Sequence, residues 1–310
     1  MGTIRLLWRD ADRLPYLYAV RRAAAAYGAE VELARQSGRE YAELLFDGRA
    51  EMLAENYWNQ QLNRAQGMPI VAVAAAVNAI NERLYVRPGV ASLAELRGKR
   101  VAVRDARPTN LIDPLWLRRA GLADAEVVLT PDAEVGRWAT WKRVVEGDCD
   151  AAIVTNLFSD AAVEAGLAPL DLGPFGFLGG VVLMTSADLL EERGADIDGV
   201  VRGAFDAAAQ FRNDKAWALD VMTSIPEGLM KAPGATVDTA EERERVHRHL
   251  AHELADPPMP TPEAIGNFYD MAVDAYPELA GYNPLQMWDL RIASGIHDER
   301  RLAGGPARRD

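Results

Sequence analysis

The stretch from Ser92 to Asn110 constrains the fold more than any other part of the chain, because it places a helical turn, a reversal, a strand and a helix start in quick succession. Ser92 and Glu95 have the spacing of a capping box, and Gly98 suits the left-handed residue that ends a short helix. The apolar residues 101–103 then indicate a strand, which polar residues and a helical pattern follow. Ligands collect at such strand ends in an open α/β sheet, beside helix amino termini.

Composition limits the class of protein. With 310 residues, of which 49% are hydrophobic, the chain can bury a large core, and its length suits one large domain or two smaller ones. The formal net charge of −12 argues against nucleic acid and anionic membranes as partners. The single cysteine, Cys149, excludes an intramolecular disulfide framework. No run of the sequence approaches the ~20 apolar residues of a membrane span.

In the first part of the chain, candidate functional side chains follow two predicted strands. Ile4 to Trp8 indicates the first strand, and Met52 to Ala54 a later one. The candidates at their carboxyl ends are Trp8, Arg9, Asp10, Glu55, Asn56, Tyr57 and Trp58. Adjacent aromatic rings beside a carboxylate and an amide suit ring stacking and polar recognition. The alternative places the two tryptophans in the core and pairs Arg9 with Asp10 in solvent.

The second group of candidates belongs to a domain predicted for residues 90–172. Its strands at 100–104, 126–129 and 151–156 alternate with helices, which predicts right-handed crossovers and a mainly parallel sheet. The candidates are Arg104, Arg107, Thr109, Asn110, Thr155 and Asn156, with Phe175 in the glycine-rich segment that returns to the first domain. Pro88-Gly89 marks the first boundary. The predicted organisation is therefore a lobe 1 of residues 1–89 plus 173–310 and a lobe 2 of residues 90–172.

No motif predicts a metal site, a cofactor or a catalytic nucleophile. His247, His249 and His252 cluster on one predicted helix, but their order is not that of a zinc-binding H-E-x-x-H motif. Acidic neighbours disfavour the thiolate of Cys149. The sequence also lacks serine-hydrolase, phosphate-loop and dinucleotide signatures. We therefore expect no metal and no cofactor, and a site made of arginine, carboxylate, amide and aromatic groups.

Several segments resemble the nitrate/sulfonate/taurine and thiamine-pyrimidine-like substrate-binding family, whose members have the type II periplasmic-binding-protein fold. The resemblance begins with SLAELRGKRVAV and LRRAGL. It continues in FDGRAEMLAEN, GMPIVAVAAAV, EGDCDAAIVTN and NPLQMWDLR, and so covers most of the chain. It implies a two-lobed α/β fold, with mainly parallel sheets flanked by helices and a ligand cleft between the lobes.

The resemblance also implies a non-catalytic protein that closes its lobes on a small polar or aromatic ligand. Anionic ligands are included in this prediction. The residues expected to pair with an acidic group are Arg9, Arg104 and Arg107. The residues expected to pack on the apolar part are Tyr57, Trp58 and Phe175. An ABC transporter permease would be the partner of an exported form. Mass spectrometry with pooled small molecules would show whether a ligand stays intact.

A rival hypothesis is a cytoplasmic lyase on the same scaffold, similar to decarboxylases and desulfinases that act on aromatic acids. Asp10 or Glu55 would then be the acid/base group. Against this hypothesis, no histidine precedes His247 in the sequence. The amino terminus, MGTIRLLWRDADR, lacks the segments of a signal peptide. This predicts a cytoplasmic protein as written, and a periplasmic one if a signal was removed.

Overall fold

A computed structural model describes residues 2–9, 11–36, 42–55, 57–80, 82–106, 109–136, 138–230 and 236–303. The strands in these residues are β1 (Ile4–Trp8), β2 (Val31–Arg35), β3 (Met52–Glu55), β4 (Ile70–Ala75), β5 (Glu82–Val86), β6 (Arg100–Arg104), β7 (Glu126–Thr130), β8 (Ala151–Thr155), β9 (Ala168–Leu170) and β10 (Val182–Ser186). The α-helices are α1 (Leu14–Ala24), α2 (Glu43–Phe46), α3 (Trp58–Ala65), α4 (Thr109–Arg119), α5 (Asp132–Val135), α6 (Lys142–Glu146), α7 (Ser159–Glu164), α8 (Ala187–Glu192), α9 (Gly194–Asn213), α10 (Lys215–Thr223), α11 (Ala240–Glu253), α12 (Pro262–Ala275) and α13 (Arg291–Ala303). None of these helices combines the length and apolar character that crossing a bilayer requires.

The strands form two five-stranded sheets, and each sheet contains one reversed strand. The first sheet has the order β2-β1-β3-β10-β4, and the second has the order β7-β6-β8-β5-β9. In the first sheet β1 is parallel to β2 and β3, whereas β10 is antiparallel to β3 and β4. In the second, β6 is parallel to β7 and β8, whereas β5 is antiparallel to β8 and β9. The predicted two-lobed α/β fold is thus confirmed, and we call each sheet with its helices a lobe.

The segments that cross between the lobes pair with each other. The chain leaves the first sheet after β4 and returns to it before β10. The Phe177 N–H donates to Asn78 O at 3.0 Å, and the Gly179 N–H donates to Val77 O at 3.1 Å. The Ile80 N–H donates to the carbonyl oxygen of residue 175 at 3.0 Å. A paired crossing of this kind has the form of a hinge between two rigid bodies.

Helix α12 contacts both lobes. In the first lobe its Phe268 ring packs against the rings of Tyr57 and Trp58, with centroids 5.2 and 6.1 Å away. On its other side Arg119 of α4 donates to Asp270 Oδ2 at 2.9 Å. The helical pattern predicted after the strand at 100–104 corresponds to α4.

The main difference from the predicted organisation concerns β5. A lobe boundary at residues 89–90 would leave this strand in lobe 1, but Glu82–Val86 is hydrogen-bonded to β8 and β9 in the second sheet. Pro88-Gly89 suggested the boundary because that pair interrupts the pattern of apolar residues. In the structure the pair forms the turn that follows β5, with a φ of +104° at Gly89. We therefore propose that the second lobe begins near residue 82.

Candidate ligand-binding site

The reversed direction of β5 brings Glu82 to the carboxyl edge of the second sheet. Because β5 is antiparallel to β8, its first residue lies opposite the last residue of β8, and Glu82 is in register with Thr155. The Thr155 hydroxyl donates to Glu82 Oε1 at 3.2 Å. Since β6 is parallel to β8, Arg104 at the end of β6 lies at the same edge. The structure therefore brings together residues predicted at the ends of β6 and β8, beside a carboxyl group from β5.

Asp113, on the buried face of α4, lies against Glu82, so the two carboxyl groups can form a hydrogen bond by sharing a proton. The Asp113 residue is 0% exposed, and the bond requires a proton on one of the two groups. Burial raises the pKa of Asp113 well above its usual range, and the Glu82 charge raises it further, whereas Arg104 opposes the rise. Burial also raises the pKa of Glu82. The pair therefore retains one proton to a higher pH than an ordinary carboxyl group would.

Buried oxygen atoms without a hydrogen-bond donor occur on the elements that carry this pair and on segments next to them. In the described part of the chain they are Glu82 Oε2, Asn110 Oδ1, Asp113 Oδ1, Asp113 Oδ2 and Asn156 Oδ1, with Asn78 Oδ1 in the crossing segment. The contact between the two acids supplies at most one donor. Buried polar atoms are normally hydrogen-bonded. A partner that donates hydrogen bonds would therefore satisfy these oxygens.

Arg104 lies at this edge but is engaged by groups of its own lobe. Its Nε and Nη2 donate to the two carboxylate oxygens of Asp132 at 2.9 and 2.6 Å, the bidentate geometry that arginine favours. Its guanidinium carbon lies 3.6 Å from the centroid of the Trp138 ring, which stacks on Phe158 at 5.6 Å. Trp138 has a left-handed φ of +66°, a conformation that persists where surrounding contacts hold it. The arginine predicted to pair with an anionic ligand is therefore already neutralised by an aspartate.

The first lobe meets this edge through the segments that follow β1 and α11. Arg13, just after β1, forms an ion pair with Glu253 at the end of α11, and both side chains are 7% exposed. The Glu253 charge acts on Glu82, whose pKa it raises. Beyond α11, the Met259 carbonyl oxygen accepts a hydrogen bond from Asn78 Nδ2. The site is therefore bounded by the second sheet, the hinge and one end of the first lobe.

The aromatic candidates of the first lobe pack inside the protein. Tyr57 is fully buried, stacks on Trp288 with centroids 5.4 Å apart, and donates its hydroxyl to Pro284 O at 3.3 Å. Burial raises the pKa of Tyr57 far above its ordinary value. Trp58 is 6% exposed and contacts Tyr276 at 5.4 Å. Both rings have protein partners, as the alternative interpretation expected for Trp58, and we leave them out of the proposed site.

Three further candidates are also buried. Trp8 is 2% exposed, and the guanidinium of Arg35 lies 5.7 Å from its ring centroid. Phe175 is 3% exposed at the hinge, with the guanidinium of Arg119 5.4 Å from its ring centroid. Glu55 is 1% exposed and accepts a hydrogen bond from a neighbouring glutamine on α3. These contacts hold the first lobe and the hinge together around the site.

The remaining candidates differ in how far the structure describes them. Thr109 begins α4 and is buried, and Arg9 is exposed directly after β1. Asp10, Asn56 and Arg107 lie outside the described residues. Binding or catalytic roles for these five residues stay predictions.

Glu82 and Asp113, the central residues of the site, were not among the residues predicted from the sequence. Each carried a local signal, since Glu82 stands two residues before the apolar run LYV and Asp113 interrupts an apolar helix face between Ile112 and Leu115. A lone acid on an apolar helix face is costly unless it has a function or a partner. In the described part of the chain, no group of three or more histidine, cysteine and acidic residues could hold a metal ion.

Comparisons with known proteins place these features in a family. The family model described as "NMT1/THI5 like" matches residues 25–214. By sequence, no curated protein matches the chain.

Solved structures share the fold over nearly the whole chain. The periplasmic sulfonate-binding protein SsuA from Methylobacillus flagellatus KT is 15% identical with a TM-score of 0.68, over 98% of this chain and 96% of its own. The aliphatic sulphonate binding protein SsuA from Escherichia coli is 17% identical with a TM-score of 0.64, over 93% and 91%. A Candida albicans protein with the generic periplasmic binding protein fold is 11% identical with a TM-score of 0.58, over 93% and 96%.

The matched residues 25–214 make up more than half of the chain. The family and the fold predicted from the sequence are thereby confirmed. The comparisons support the predicted ligand-binding function and give no support to the lyase alternative. The chain belongs to the NMT1/THI5-like family.

Proposed function

We propose that the protein binds a small polar molecule between its two lobes and closes on it by bending at the paired crossing segments. The observation that carries this proposal is the set of buried, unsatisfied oxygens on β5, on α4 and directly after β8. Polar groups that converge from several elements, beside a hinge, are typical of a small-molecule site. Closure requires a ligand that contacts both lobes, and Glu253 of the first lobe acts on the same site.

The proposed partner is the permease of an ABC importer. Its support is the fold shared with SsuA proteins, one of which is described as part of a sulfonate ABC transporter. A binding protein of this kind would deliver its ligand to the permease in the closed form and leave the ligand chemically unchanged. Delivery of a ligand to an importer would place the protein on the outer side of the membrane that contains the permease.

The proposed function predicts an unchanged ligand and a more compact protein. Native mass spectrometry with pooled aromatic carboxylates, sulfonates, pyrimidines and small amines would identify a bound compound by its mass. Small-angle X-ray scattering with that compound should show a smaller radius of gyration than the free protein, because closure brings the lobes together. A bound compound recovered at its original mass supports a binding protein. Loss of 44 mass units would indicate decarboxylation and overturn the proposal.

A side-chain variant tests where the compound binds. Asn156→Ala removes one of the unsatisfied oxygens and should weaken binding about tenfold, since a buried hydrogen bond contributes roughly 1–3 kcal/mol when its partner is left unpaired. Asn213→Ala makes the same change at an exposed position at the end of α9, and it should bind like the unmodified protein. Equal affinity of both variants would place the ligand elsewhere.

A further inference from the structure

The unsatisfied polar atoms around Glu82 are almost all hydrogen-bond acceptors. Exchanging the oxygen and nitrogen of the side-chain amides would not remove this excess of acceptors at two asparagines. Their amide nitrogens already donate hydrogen bonds. Asn78 Nδ2 donates to Met259 O, and Asn110 Nδ2 donates to Asp105 Oδ1 at 3.2 Å. Their oxygens are therefore the ends that remain without a donor. On α4 one unsatisfied donor, Trp116 Nε1, lies a turn beyond Asp113.

The charges of the described residues at the site are also unbalanced toward the negative. Arg104 is neutralised by Asp132 in a bidentate pair, and Arg13 is neutralised by Glu253. The Glu82–Asp113 pair keeps one negative charge when it shares a proton and two when it does not. An anion placed against these carboxyls would be repelled in a poorly screened environment, whereas a cation would be attracted.

We propose that the ligand of this site is an organic cation, whose ammonium or amidinium N–H groups donate to Glu82, Asp113 and the Asn110 side-chain oxygen. This inference rests on the proposed function and names its substrate class. It opposes the anionic ligand expected from the arginines, since the structure gives Arg104 a carboxylate partner. Ammonium and amidinium groups present several N–H donors, which match several convergent oxygens.

Binding of such a cation is linked to the proton that the two acids share. The cation takes the place of that proton, so one proton leaves the site when the ligand enters. The charged groups that face the pair are Arg104 from β6 and Glu253 from α11, and each keeps its own partner during the exchange. Affinity for the cation should therefore rise with pH until the pair is fully ionised.

Matched probes test the inference by isothermal titration calorimetry. Each of two series contains an ammonium cation, a neutral alcohol, a carboxylate and a sulfonate. The aromatic series is benzylammonium, benzyl alcohol, phenylacetate and phenylmethanesulfonate, with benzamidinium added. The aliphatic series is butylammonium, butanol, pentanoate and butanesulfonate. We expect at least one cation to bind tenfold or more tightly than the anions of its series at pH 8, and to lose tenfold in affinity at pH 5. Binding of the anions in preference to the cations, or of no cation at all, would overturn the inference.

Variants locate the cation and separate the two proposals. Glu82→Gln and Asp113→Asn should each lower the affinity of the bound cation at least tenfold and flatten its pH dependence, while Asp124→Asn, an exposed acid of the same lobe, should change neither. Unchanged cation affinity in a folded Glu82→Gln protein overturns the inference. An anion that binds and compacts the protein would support the proposed function and contradict only the inference that the ligand is a cation. Failure of every pooled compound to bind would instead count against the proposed function.

Discussion

Replacing Gly203 by alanine is expected to lower the free energy of unfolding by about 1–3 kcal/mol, because the new methyl group has no space. Gly203 lies on the face of α9 that packs against α1. A Cβ atom there would lie 2.6 Å from Ala24 N and 2.7 Å from Ala24 Cα. These are backbone atoms of a helix and cannot rotate away, so the two helices would have to separate. Urea denaturation followed by circular dichroism would measure the loss.

A second glycine provides the control for this prediction. Gly266 lies inside α12, where an added Cβ would meet nothing within 4 Å. Gly266→Ala should therefore stabilise the protein by roughly 0.5–1 kcal/mol, which is the usual gain in helix propensity. If Gly203→Ala were as stable as Gly266→Ala, α1 and α9 could not be in the close contact that this prediction requires.

Asp113→Asn is expected to make the free protein more stable at pH 8, by about 1–3 kcal/mol, because it removes the need to bury a second charge beside Glu82. The sign follows from the direction of the pKa. The pKa of Asp113 is raised on folding, so the folded state binds the proton more strongly than the unfolded chain does. The stabilising contribution is complete below the ordinary aspartate pKa and is lost as the pH rises through the raised value. The amide introduced by the substitution has no such dependence, and it can donate to Glu82.

Thermal and urea unfolding between pH 4 and pH 8 would check this result. The advantage of Asp113→Asn should shrink toward pH 4, where the unmodified pair is protonated. Asp124→Asn, at an exposed position, should show no advantage at either pH. A variant that is less stable than the unmodified protein at pH 8 would show that the acid pair supports the fold, and would contradict its interpretation as part of a binding site. If the protein becomes more stable when Asp113 is replaced, the acid is not kept for stability, which agrees with a role in binding.

Local patterns in the sequence were sufficient for the elements around the site. The strand at 100–104 was predicted at its observed bounds, and the helical pattern predicted after it corresponds to α4, because a capping pattern, an apolar run and polar residues follow one another without interruption. Thr155 was assigned to a strand end for the same reason, and the structure places it at the end of β8. Such signals depend only on neighbours in the chain.

Contacts between distant parts of the chain decided the rest. Glu82 became part of the site because β5 is reversed beside β8, and no local pattern states the direction in which a strand enters a sheet. Tyr57 and Trp58 were ambiguous in the sequence because an aromatic pair suits both a core and a ligand site. The structure packs both rings against Phe268 of α12, which is far away along the chain, and so places them in the core.

The charge of the site shows the same division most clearly. The sequence by itself determined the α/β class and several residues at the strand ends, since periodicity and turn residues are local properties, and its resemblance to a known family implied the two lobes. Only the tertiary structure decided which charges remain available there. It pairs Arg104 with Asp132 and sets Asp113 against Glu82, because folding brings these groups together across long sequence separations, and a charge acts on a ligand only as far as its partners leave it uncompensated.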